Sequence, residues 1–109
     1  MISGVTIDVN GRSETFRMTT RAMMELEDHF GQGLIEIVQS LQTGLRIGAL
    51  VRILAECANN GAGVEIARAV EIADEIGLSR VGELLGDVAQ AAFPEAPAEK
   101  NPKRASRSK

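Results

Sequence analysis

A change of hydrophobic period at Thr19 constrains this chain more than any other feature. Before it, Val5-Thr-Ile-Asp-Val9 alternates apolar and polar residues, and Asn10-Gly11 follows at once. That dipeptide tolerates positive φ at both central positions of a type I′ turn, the two-residue loop that matches the twist of antiparallel strands. The return strand, 13–18, places Glu14, Phe16 and Met18 on one side and Ser13, Thr15 and Arg17 on the other. Val5, Ile7 and Val9 are expected to share the buried face with Phe16 and Met18. Two strands alone are marginal in water, so whatever follows must cover that face.

From Thr19 onward the apolar spacing becomes helical. Thr19 or Thr20 can cap a first helix with the stripe Met23, Leu26 and Phe30, and Gly31 stands where a left-handed residue ends it. A second helix over 34–42 turns Leu34, Val38 and Leu41 inward and stops at Gly44. The third, 46–59, has Ile47, Leu50, Val51, Leu54 and Ala58 inward and runs into the loop Asn59-Asn60-Gly61-Ala62-Gly63. A fourth covers 65–76, before Gly77. Ser79 is expected to cap the fifth, with Val81, Leu84, Leu85, Val88 and Ala92 as its stripe, which ends before Pro94. The expected fold is α+β and mostly α, an N-terminal two-stranded β-hairpin packed on about five short helices.

Charge divides the 109 residues into two parts. Residues 1–93 carry 7 Lys/Arg against 13 Asp/Glu, a net of −6, whereas residues 94–109 carry 5 against 2. The second stretch holds all three prolines and no apolar side chain larger than Ala apart from them. It cannot bury enough surface to offset its ordering entropy and is read as a disordered basic tail. Residues 1–93 are read as a single globular domain. No apolar run approaches the roughly 18 residues of a membrane span and the N-terminus shows no signal-type segment, which predicts a cytoplasmic protein.

Reactive side chains are scarce. One Cys and one His cannot supply a usual zinc shell, and the absence of Trp and Tyr leaves no stacking platform for single-stranded nucleic acid. His29 falls in the last turn of the first helix, where it complements the helix dipole, with no Ser, Cys or Asp at catalytic spacing. Cys57 lies in an apolar helix and reads as a small buried hydrophobe. Gly31-Gln32-Gly33 lacks the third glycine and the Lys-Ser/Thr of a phosphate loop, so it reads as a helix stop and linker. Glu25 and Asp28 share a helix face but Glu27 points elsewhere, which favours a solvated surface over a metal site. The expectation is therefore no catalytic residue, no cofactor and no metal.

Residues 71–92 have the packing pattern of a helix-turn-helix. Ala73 stands at the helix crossing, Gly77 at the turn, and Leu78, Leu84 and Val88 at the positions that hold a second helix. The exposed side of that second helix would carry Ser79, Arg80, Glu83, Asp87 and Gln90. One cation against two carboxylates is the wrong charge for a phosphate wall, so a DNA-binding regulator stands as the alternative reading and nucleic acid as an unfavoured partner.

Three segments taken in order carry a resemblance: the strand pair over 5–18; Arg21-Ala-Met-Met-Glu-Leu-Glu-Asp28 leading to Phe30-Gly31; and Leu34-Ile-Glu-Ile-Val38. Glu-Ile-Gly-Leu78 closes a later helix in the same style. Over roughly residues 4–93 the chain resembles a family of small tail-morphogenesis proteins of tailed bacteriophages and bacterial gene transfer agents. The family is encoded between the major tail protein and the tape measure protein. It is regarded as a group of tail assembly chaperones and has also been labelled a tail tube protein. The resemblance implies a non-enzymatic protein in the bacterial cytoplasm that binds a tail structural protein, above all the tape measure, with the major tail protein as a second candidate. A chaperone of that kind needs apolar docking surface. The apolar sectors of the second and third helices contain both Ile35 and Ile37 and both Leu50 and Ile53, wider than one core-facing stripe requires. Leu45, Leu50 and Ile53 are accordingly the candidate partner-binding residues, and self-association is a further use of the same surplus.

Overall fold

The computed structural model describes residues 2–93; the tail read over 94–109 lies outside the described residues. Strands β1 (Val5–Val9) and β2 (Arg12–Phe16) form an antiparallel pair with Val5 opposite Phe16 and Val9 opposite Arg12. Only Asn10 and Gly11 separate them, at φ 53° and 82°, the positive pair that a type I′ turn requires. Val9, Phe16 and Met18 are buried, with Val5 and Ile7 packed against them, as the alternation demands. The outer face carries Thr6 and Thr15, whose hydroxyls meet at 2.8 Å. Glu14 stands among the inward side chains, yet its carboxylate is satisfied: Oε2 accepts from the Asn59 N–H at 3.1 Å and Oε1 lies 3.6 Å from Arg68.

Among the described residues five helices follow: α1 (Thr20–Phe30), α2 (Leu34–Thr43), α3 (Ile47–Cys57), α4 (Ile66–Ile76) and α5 (Leu78–Ala92). The architecture is the expected one, α+β and mostly helical. Thr19 caps α1 by accepting from the Ala22 N–H at 3.2 Å, and Gly31, left-handed at φ 65°, ends it. Helix α3 is central, packing on α1, α4 and α5, and its Ile53, Leu54, Ala55 and Cys57 are all buried. It stops two residues before its expected end because Asn59 and Asn60 both take positive φ and turn the chain back. The Val64 N–H then donates to the Ala55 carbonyl at 2.9 Å, so α4 begins beside the last turn of α3.

That turn is tied to the start of the helical half. Arg17 N–H donates to the Cys57 carbonyl at 2.9 Å, and the Thr19 hydroxyl donates to the Gly61 carbonyl at 2.9 Å. Arg21 reaches the same carbonyl through Nε at 3.1 Å and both the backbone and the carboxylate of Glu56 through Nη2 at 3.0 and 3.1 Å. A Cβ at Gly61 would stand 2.3 Å from Thr19 Cγ2 and 2.8 Å from the Arg17 carbonyl oxygen. Only glycine fits there, and its φ of 86° requires glycine as well.

Three expectations need correction. Ser79 does not cap α5: Gly77 alone separates α4 from α5, and its φ of 89° lets α5 begin at Leu78 with Ser79 inside the first turn. Leu78 does not pack the second helix down but is 44% exposed, since it occupies that first turn on the rim. Ile47 is 59% exposed although Val51, Leu54 and Ala58 of the same stripe are buried. The stripe is continuous, but the first turn of α3 projects beyond the helices that cover its remainder. On α2 the buried pair is Leu34 and Ile37, with Val38 and Leu41 packed partly against the core.

Candidate interaction surface

Several of the polar and reactive side chains that the sequence singles out are held in structural contacts. His29 packs edge-on against Phe30, with ring centroids 4.9 Å apart. Cys57 is fully buried, and its thiol is pushed up to about 12, first by burial and then by the Glu56 carboxylate, against a smaller opposing effect of Arg21. A thiol so held is not a nucleophile near neutral pH. Glu27 turns away from Glu25 and Asp28 because its Oε2 accepts from the Leu34 N–H at 2.8 Å, satisfying an orphan donor at the start of α2. Glu36 does the same for the Gly33 N–H at 3.3 Å. Gly31 and Gly33 are the stop of α1 and the cap of α2, with no phosphate-loop geometry.

The helix-turn-helix candidate packs as a tight helical pair, but its outward side is poor for DNA. Arg80, the one cation there, lies 3.6 Å from Glu83, and Asp87 is exposed beside it. Between the hairpin tip and α4 lies a shallow cleft of about 350 Å³ lined by Val9, Asn10, Arg12, Arg68, Glu71 and Glu75. Arg68 is shared between Glu14 at 3.6 Å and Glu71 at 3.3 Å, so cations and carboxylates balance and the cleft selects neither sign of ligand.

The apolar surface is placed differently from the sequence expectation. Of the three candidate partner-binding residues, Ile53 is a core residue with no exposed area, because α3 has neighbours on several sides and buries most of its circumference. Leu45 and Leu50 are half-buried and pack against the core. The surplus on α2 is real: Ile37 faces inward while Ile35 is 61% exposed. Sequence reasoning passed over Met24, 65% exposed, and the pair Ile66 and Val70 on α4. The Met23-Met24 doublet held the signal for the first, since adjacent helix positions lie about 100° apart and one stripe takes only one of them. Large aliphatic side chains thus stand in solvent on all five helices, at Met24, Ile35, Ile47, Ile66, Val70 and Leu78.

No helix among the described residues is long and apolar enough to cross a membrane. No curated protein and no solved structure matches the chain. A family model does, over residues 3–94, which takes in the hairpin and every helix described above. The chain therefore belongs to the family described as phage tail tube protein, GTA-gp10, a family of phage and gene transfer agent tail proteins.

Proposed function

We propose that the chain is a tail assembly chaperone that holds the tape measure protein in the bacterial cytoplasm, without catalytic turnover, until the tail is built. The observation that carries this reading is the family membership joined to exposed aliphatic side chains on every helix of a small acidic domain. Reversible cover of a long helical partner needs dispersed apolar contact and no reacting group. The major tail protein is a second partner of the same chemistry.

Co-expression tests it. The tape measure should become soluble only in the presence of this chain, and the complex should survive about 0.5 M salt, where exposed charge pairs are largely screened. An insoluble tape measure in both cases overturns the proposal. The family description itself favours a second reading, a component of the tail tube. Finished particles separate the two, because a tube component remains in them in many copies and a chaperone is left behind. Salt-sensitive binding to duplex DNA that is lost in Arg80→Ala would replace both with the helix-turn-helix reading.

A further inference from the structure

Main-chain pairing in the hairpin is one-sided. A two-residue type I′ turn closes on a pair that exchanges both main-chain hydrogen bonds, here Val9 and Arg12, and such pairs alternate along an antiparallel ladder. Val9, Ile7 and Val5 therefore bond to Arg12, Glu14 and Phe16, while the N–H and C=O of Thr6 and Asp8 point away from β2. The Thr6 and Thr15 hydroxyls, 2.8 Å apart, fit the closer spacing of a pair without main-chain bonds. On β2 the corresponding outward row runs through Ser13, Thr15 and Arg17, and it is covered: the Arg17 N–H donates to the Cys57 carbonyl at 2.9 Å, and the Asn59–Gly61 turn packs on the strand. The row on β1 has no such cover. Thr6 and Asp8 are exposed, and among the described residues their main-chain groups enter no hydrogen bond.

An open strand edge is normally blunted by proline, a bulge or lysine. β1 has none of these, since its register is one to one from Val5 to Val9. Its single charge, Asp8, is turned toward its own turn, where Oδ2 accepts from the Gly11 N–H at 3.3 Å. Val5 and Ile7 are incomplete in a second way, packed against the core but only half-buried.

We propose that this edge pairs with itself: β1 lies antiparallel to β1 of a second copy about a two-fold axis at Ile7, so that two hairpins form one four-stranded sheet. The strand itself selects this occupant. Ile7 is the middle of the five residues, so an axis there sets Thr6 opposite Asp8 of the second copy and Asp8 opposite its Thr6. Every outward N–H and C=O of both strands is then satisfied. The side chains agree with that register: Ile7 meets Ile7 and Val5 meets Val9 on the core side, and each carboxylate faces a threonine on the other. An axis at Asp8 would set two carboxylates directly opposite, and one at Thr6 would carry the pairing off the strand onto Gly4. The chain's own residues 94–109 are interrupted by Pro94, Pro97 and Pro102, which lack the N–H that edge pairing uses. The contact is the same patch on both copies and closes on itself, so it gives a dimer and not a filament. It does not depend on what the chain binds in a tail.

The test is sedimentation equilibrium of the full chain from about 1 µM to about 1 mM, the range in which a small interface associates. A monomer–dimer equilibrium is expected. Thr6→Pro removes an outward N–H and leaves the β1–β2 bonds in place; it should raise the dissociation constant at least about tenfold, since one bond is lost from each copy. Ser13→Pro makes the same change on the β2 edge and should alter it less than about twofold, as a substitution outside the contact does. Unchanged far-UV circular dichroism in each variant shows that folding is not the cause. Oxidation of cysteine variants in a Cys57→Ala background reads the register independently. Ile7→Cys should form a disulfide-linked dimer, because Cα atoms across a pair without main-chain bonds lie about 4.5 Å apart, within disulfide range. Thr6→Cys and Asp8→Cys should not, because each lies diagonal to its own copy at about 8 Å.

A chain that stays monomeric throughout the range, a dimer that Thr6→Pro leaves intact, or assemblies larger than a dimer overturn the proposal. Cross-linking through Thr6→Cys or Asp8→Cys in place of Ile7→Cys overturns it by moving the axis. Binding of a synthetic 94–109 peptide that Thr6→Pro abolishes overturns it in favour of that segment. A monomeric chain whose solubilisation of the tape measure is lost in Thr6→Pro overturns it in favour of a strand from the tail partner.

Discussion

Gly61→Ala is the substitution whose cost the structure defines most closely. Gly11 supplies the control, because the two glycines have nearly the same backbone, φ 86° and 82°, but opposite surroundings. An added Cβ at Gly11 meets nothing within 4 Å, whereas at Gly61 it falls 2.3 Å from Thr19 Cγ2 and 2.8 Å from the Arg17 carbonyl oxygen. Gly11→Ala should therefore show the left-handed penalty alone, about 1–2 kcal/mol. Gly61→Ala adds an overpacking cost of about 1–3 kcal/mol, since one of the two neighbours is backbone and cannot rotate aside. If the turn shifts to relieve the clash, the Gly61 carbonyl moves away from Thr19 and Arg21, and each hydrogen bond is worth about 1 kcal/mol, less for the half-exposed arginine. The expected total is about 3–5 kcal/mol, a large part of the 5–15 kcal/mol by which domains of this size are usually stable. The assay is urea unfolding followed by far-UV circular dichroism, as the chain has no Trp or Tyr to serve as an intrinsic probe. Thr19→Ser in the Gly61→Ala background removes Cγ2 while keeping the hydroxyl that caps α1, so the double mutant should regain about 1 kcal/mol relative to additivity. Equal losses at Gly11 and Gly61, or no coupling to Thr19, would refute the reasoning.

Gly11→Val should cost more than Gly11→Ala, because a β-branched side chain is still less compatible with positive φ; equal midpoints in urea would contradict the turn assignment. Gly82→Ala and Gly86→Ala should each raise stability by about 0.5–1 kcal/mol, since both lie within α5 and a Cβ at either meets nothing within 4 Å; calorimetric Tm values check this. Cys57 should react with a thiol reagent at pH 8 only after unfolding, and a native rate close to that of the denatured chain would show the thiol to be accessible. Its folded pKa, pushed up to about 12 from an ordinary 9.0, means that the unfolded chain binds fewer protons above pH 9. Stability from this group is thus fully present below pH 9 and is lost as pH rises toward 12, with a slope of up to about 1.4 kcal/mol per pH unit that Cys57→Ala should remove.

Local chemistry carried most of the fold into the sequence. Asn10-Gly11 fixed the hairpin register, Thr19 and Gly31 bracketed α1, and the 3.6-residue stripes of α3 and α5 named most of the core. The errors lie where a tertiary relation decides. Ser79 is a good capping residue, but the one-residue connection at Gly77 starts α5 before it. Ile47 belongs to a correct stripe and is exposed all the same, because the extent to which neighbouring helices cover a stripe is not written in its period. The Arg21–Glu56–Gly61 contacts join residues some 35 to 40 positions apart, and no local pattern announces them.

The interaction surface separates the same two kinds of information. A wide apolar arc on a helix has two physical origins, a helix surrounded by its own fold or a helix with a free apolar side, and the arc is the same in both. On α3 the first origin holds, so Ile53 was misplaced by an argument from width alone. On α2 the second holds, and Ile35 stands out of the fold beside a span that contains no lysine or arginine. Sequence neighbours do not distinguish the two, since Ile47 is followed by Gly48, Ala49 and Leu50 and is 59% exposed, whereas Ile53 stands between Arg52 and Glu56 and is buried. What separates them is tertiary, because α3 is packed against α1, α4 and α5, whereas the side of α2 that carries Ile35 is left uncovered.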